Sequence, residues 1–92
     1  MVAETVLKEL NIDKGGTYGD DGAFVVDIKN SDEFGKIYSK LDNTDLLEYQ
    51  DENSLLTSDN ANLNYIFGEG EFLVSLIGDF ENDSYQLTIT EI

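Results

Sequence analysis

The chain has 92 residues and carries 20 carboxylates against 5 basic groups, for a formal net charge of −15. All five basic groups are lysines, Lys8, Lys14, Lys29, Lys36 and Lys40, and the chain has no Arg, His, Cys, Pro or Trp. A charge of this sign repels phosphates and so argues against direct binding to nucleic acid or to an anionic membrane surface. The missing His and Cys remove imidazole bases, thiolate nucleophiles, thiolate or imidazole metal sites and disulfides.

Leu, Ile, Val and Phe make up 28 of the 92 residues, well above the roughly 20% level associated with disordered chains. A folded single domain over residues 1–92 is therefore expected, firmer in salt because its charges repel one another. The opening MVAETVLKEL lacks the basic start and long apolar run of a secretory signal, and no stretch approaches the ~20 apolar residues of a membrane span. The expected location is the cytoplasm.

In chain order, residues 3–10 read as a short helix, with Val6, Leu7 and Leu10 on its apolar face and Glu4–Lys8 as a favourable pair. Gly15, Gly16, Gly19 and Gly22 then mark a flexible connection around Tyr18. Residues 23–29 form a strand with Phe24, Val26 and Ile28 on one face. Asn30 and Glu33 stand at capping-box spacing before a second helix, whose stripe is Phe34, Ile37, Tyr38 and Leu41. Lys36 and Lys40 lie toward its C-terminal end, where cations complement the helix dipole.

From residue 44 the apolar period becomes two. Residues 46–50 and 54–58 read as short strands around Asp51-Glu52-Asn53. Residues 62–67 set Leu63, Tyr65 and Phe67 against Asn62 and Asn64. Residues 71–80 carry Phe72, Val74, Leu76 and Phe80, with Leu73 and Ile77 making the second face apolar too. Residues 85–92 alternate Tyr85, Leu87 and Ile89 with Gln86, Thr88 and Thr90. The order α-β-α-β-β-β-β predicts an α+β fold, two short helices on one face of a mainly antiparallel five-stranded sheet.

The charge is unevenly distributed. Residues 1–40 hold eight acids and five lysines, net −3, whereas residues 41–92 hold twelve acids and no base, net −12. Acids on sheet edges discourage unwanted pairing and favour solubility. That explains less well why none of these charges is a lysine. Same-face strand positions repeat about every 6.7 Å, so acids on strands would form a row of fixed negative charge resembling a nucleic-acid backbone to a groove lined with Lys and Arg.

Other constellations carry less. Residues 11–16 (Asn-Ile-Asp-Lys-Gly-Gly) echo a calcium loop, but Gly15 removes one ligand and Gly22 stands where a bidentate Glu is required. The glycines lack the Gly-Lys-Ser/Thr of a P-loop. With twenty acids, proximity of two carboxylates is no sign of glycoside chemistry. Asn82-Asp83-Ser84 matches a glycosylation acceptor and reads as a turn. Neither an enzyme, nor a metal site, nor a cofactor is expected.

Residues 51–59, Asp51-Glu52-Asn53-Ser54-Leu55-Leu56-Thr57-Ser58-Asp59, are similar with a one-residue gap to a stretch of the phage uracil-DNA glycosylase inhibitor family. The acidity and the element order also resemble that family. The resemblance implies a small acidic α+β protein that occupies its enzyme's DNA groove as a DNA mimic. The strand Val25-Val26-Asp27-Ile28-Lys29 does not match the family's acidic first-strand contact segment, and only Leu55 and Leu56 map onto its apolar pocket. What carries over is the class, a phage-type DNA-mimic inhibitor, and not the glycosylase target.

The expected function is thus an acidic decoy in the groove of a basic nucleic-acid-binding protein or enzyme. The candidate contact residues are Glu48, Asp51, Glu52, Glu69, Glu71, Asp79, Glu81 and Asp83, with Tyr49 or Tyr65 as an apolar anchor if exposed. Two alternatives remain open at this point. One is an immunity or antitoxin protein neutralising a basic nuclease or toxin. The other is a structural or assembly protein, for instance a homodimer formed through a sheet edge or the apolar face around Leu73 and Ile77.

Overall fold

The computed structural model describes residues 2–92. Along them run helix α1 (Ala3–Glu9), strands β1 (Thr17–Tyr18) and β2 (Phe24–Ile28), helix α2 (Ser31–Asp42) and strand β3 (Leu47–Tyr49). A single 3-10 turn, Asp51–Asn53, leads into β4 (Leu55–Leu56), β5 (Asn60–Phe67), β6 (Phe72–Asp79) and β7 (Ser84–Glu91). The fold is α+β, with both helices contributing to one core.

Local code accounts for α2. The Asn30 side chain accepts the Glu33 N–H at 2.9 Å, the N-cap bond expected from the spacing. Glu33 reaches back to the N–H of Lys29, 3.3 Å away, one residue earlier than a standard capping box, and also holds the Lys14 ammonium. Phe34, Ile37 and Leu41 are buried, and Tyr38 packs partly against the same core. Helix α1 is short and buries Ala3, Val6 and Leu7. Lys40 donates to the carbonyl oxygen of Asn11, which ties the C-terminal part of α2 to the loop that follows α1.

The sheet runs in the order β1-β2-β7-β6-β5-β3, all pairs antiparallel, with β4 also paired to β5. Register aligns the inward side chains: Phe24, Val26 and Ile28 oppose Ile89, Leu87 and Tyr85, and Leu63, Tyr65 and Phe67 oppose Leu76, Val74 and Phe72. All are buried and form one continuous core with the helices. A one-residue slip anywhere would turn this set to solvent, so the register is strongly specified.

Seven strands are present instead of the expected five. One addition is β1: where the glycines predict a flexible connection, Thr17 and Tyr18 pair with Val25 and Phe24. Gly16 makes this possible. A Cβ there would lie 2.4 Å from the Val25 carbonyl oxygen, so only glycine lets the two backbones meet. The other difference lies in the count at the far edge, where the short strands read at 46–50 and 54–58 are both present: β3 pairs with residues 65–67 of β5 and β4 with residues 61–62. The 3-10 turn splits what would otherwise be a single edge strand.

Candidate protein-binding surface

The split edge is held by side chains that stand in for backbone. Gln50 N–H donates to the Asn64 carbonyl at 2.8 Å, as a ladder bond would. The Asn64 N–H then donates to Ser54 Oγ (2.9 Å), and the Ser54 hydroxyl donates to the Gln50 carbonyl (2.7 Å). The Asn64 side-chain amide donates to the Asn53 carbonyl at 2.6 Å, and its oxygen accepts from the Ser75 hydroxyl, also at 2.6 Å. Ser75, the one buried polar residue among those described, thus anchors the network in the sheet. The outcome is a 3-10 turn fixed between β3 and β4, in which Asp51 and Glu52 are exposed.

The expected rows of acids along strands do not form. Of the eight candidates only Glu48 and Asp79 lie on strands; Asp51 and Glu52 occupy the 3-10 turn, Glu69 and Glu71 the β5–β6 turn, and Glu81 and Asp83 the β6–β7 turn. The two hairpin turns cap opposite ends of β6, about 23 Å apart at strand rise. With the edge acids between them, the eight define a rim around the β5 side of the sheet. Seven are exposed and Asp79 is half-buried. Asp79 accepts from both the backbone N–H of Asn82 (3.2 Å) and its side-chain amide (2.7 Å), which holds its pKa below the ordinary 3.8.

The surface has members beyond the eight candidate acids, among them Leu55 and Leu56 of the resemblance. Asp45 and Asp59 are exposed beside the edge strands, and Phe80 N–H donates to the Asp59 carbonyl at 2.9 Å. Leu46, Leu55 and Leu56 are exposed by about half, as is Tyr49 at 43%. The available signal was the pair of Leu-Leu doublets at 46–47 and 55–56: neighbouring strand residues face opposite ways, so a doublet at an edge must leave apolar surface uncovered.

Tyr65 is not an available anchor. It is 1% exposed and packs its ring 5.3 Å from that of Tyr49. Burial pushes its phenol well above the usual range, with Asp42, Tyr38 and Tyr49 adding to the effect. Tyr49 occupies the equivalent register position one strand further out, and its ring reaches solvent.

The cations lie elsewhere. The ion pairs among the described residues are Lys14–Glu33 and Lys36–Asp32, both outside residues 41–92. Among the described residues no group of three or more acids is arranged to hold a metal ion, and no helix is long and apolar enough to cross a membrane. The calcium-like stretch is occupied internally, with the Asn11 carbonyl bonded to Lys40 and Lys14 paired with Glu33. The chain matches no family model, no curated protein and no solved structure.

Proposed function

We propose that this chain is a non-enzymatic acidic inhibitor that occupies the nucleic-acid groove of a basic protein, acting in the cytoplasm as phage-type DNA mimics do. One observation carries the reading. Among the described residues, none of the twelve carboxylates in 41–92 is in an ion pair. Fixed, unneutralised charge on a rigid sheet rim generates a field that captures Lys- and Arg-lined surfaces, speeds encounter and weakens as salt rises. The same electrostatics would serve an antitoxin that neutralises a basic nuclease, and a toxin gene beside this one would select that variant.

The test is charge reversal. Replacing Glu48, Asp51 and Glu52 by Lys changes the charge by six units, so the variant is first checked for native circular dichroism. Wild-type protein on a resin is expected to retain a basic nucleic-acid-binding protein from lysate at low salt and to release it at high salt, while the variant retains none. Equal retention by the variant at low salt would overturn the proposal.

An assembly role has its own support in the second face of the sheet, where Ile66 pairs with Leu73 and Ile77 lies four residues further along β6, all half-buried. Sedimentation at several concentrations separates the readings: a dimer that grows with concentration favours assembly, and a strict monomer removes it.

A further inference from the structure

We infer that the basic partner is gripped at the β3–β4 edge, by a segment that presents Lys or Arg together with apolar side chains. The inference rests on the proposed function in one respect, that the partner is a basic protein.

Of the seven large hydrophobic side chains exposed among the described residues, four (Leu46, Tyr49, Leu55 and Leu56) lie within the stretch 46–56. The other three, Val2, Tyr18 and Ile92, are scattered. Isolated exposed hydrophobics are ordinary, but a group of them on one edge marks an interaction surface. The group is not a frayed strand, because the Ser54, Asn64 and Gln50 bonds pin the chain between its two halves. Interleaved with it are Asp45, Glu48, Asp51, Glu52 and Asp59, all exposed. An apolar centre with a polar rim is the usual anatomy of a protein–protein interface.

The charge identifies the occupant. A nucleic acid or an acidic protein would be repelled. A second copy would set these five carboxylates against their own equivalents with no lysine from 41–92 to relieve them. Strand addition by a second copy is also obstructed, since the 3-10 turn leaves only three and two residues of regular edge on either side. A basic segment with apolar side chains satisfies both features. Its cations meet the rim and its apolar groups cover the leucines.

Two dodecapeptide probes of equal charge test this, one alternating Arg with Leu and the other Arg with Ser. The Arg-Leu peptide is expected to bind the wild-type protein about tenfold more tightly. That advantage disappears in Leu55→Ser/Leu56→Ser, and the amide resonances that move lie in residues 45–59. Thermal unfolding checks the variant, and Leu46→Ser/Tyr49→Ser replaces it should it not fold. An advantage that persists in the folded variant, or resonances that move only at the hairpin turns or the second face of the sheet, would overturn the inference while leaving the acidic-inhibitor reading intact. A wild-type dimer that the variant dissolves would assign the edge to a second copy and also overturn it. If neither peptide binds at low salt, the acidic-inhibitor reading fails and takes the inference with it.

Discussion

The two edges of the sheet solve the same problem in opposite ways. At the β1–β2 edge the outermost strand is two residues long, Tyr18 packs edge-to-face with Phe24 at 4.9 Å, and Lys14 joins Glu33 of α2. There Glu33 is neutralised by a lysine, while Asp20, Asp21 and Asp27 stay exposed. At the β3–β4 edge the strand is longer, broken by a 3-10 turn, and lined by exposed leucines and unpaired acids. Both devices prevent indiscriminate strand pairing. Only the second gathers several exposed apolar side chains among its acids.

This contrast can be broken at either edge. The largest effect is expected from Gly16→Ala, which drives a Cβ against the Val25 carbonyl oxygen, a backbone atom with little room to move. We expect a loss of about 2–4 kcal/mol of stability and release of β1, measured by urea unfolding and by hydrogen exchange at Thr17 and Tyr18. Next comes Ser54→Ala at the opposite edge. It removes the acceptor of the Asn64 N–H and a donor to Gln50, for an expected loss of about 1–2 kcal/mol. Exchange should rise at residues 50–56 and not at β1; equal loosening of both edges would show that they are not independent.

Salt sharpens the contrast further. Raising NaCl screens repulsion mainly among the twelve acids of the second half, so the melting temperature should rise by about 3–5 °C, with protection gained chiefly around β3 and β4. The smallest effect concerns Glu33. The hydrogen bond from Lys14, more than that from the Lys29 N–H, holds its carboxyl below the ordinary 4.5. The ionised form is therefore favoured in the folded state. Its stabilising contribution is complete above pH 4.5 and lost as pH falls through the lowered folded-state value. Wild type should exceed Glu33→Gln in urea stability at pH 7, and the difference should close in acid. A difference that widens in acid would contradict this ion pair.

Much of the fold could be read from local pattern. Helix α2 is encoded by Asn30, Glu33 and a one-sided stripe within twelve residues, and the three long strands by an apolar period of two on their inner faces. What escaped is set by contacts distant in sequence. Strand β1 depends on Gly16 meeting Val25, which no property of residues 15–22 reveals. The opposite fates of Tyr49 and Tyr65 follow from strand order, since the two are register partners and only one has a neighbour on both sides. The arrangement of the candidate acids depends on hairpin positions. The strands read at 62–67, 71–80 and 85–92 already left Glu69, Glu81 and Asp83 outside, and the turn after Phe67 takes in Glu71 as well, so that all four stand at the ends of the sheet.

Helix α2 has a consequence for the molecule as a whole. It carries the chain from β2, beside one edge, across β7, β6 and β5 to β3 at the other. A charge imbalance ordered in time along the chain is thereby converted into one ordered in space. The five lysines stay with the helices and the near edge, and the net −12 segment builds the far side. A positively charged surface approaching the protein would therefore meet a stronger field from the parts built by residues 41–92 than from those that carry the lysines.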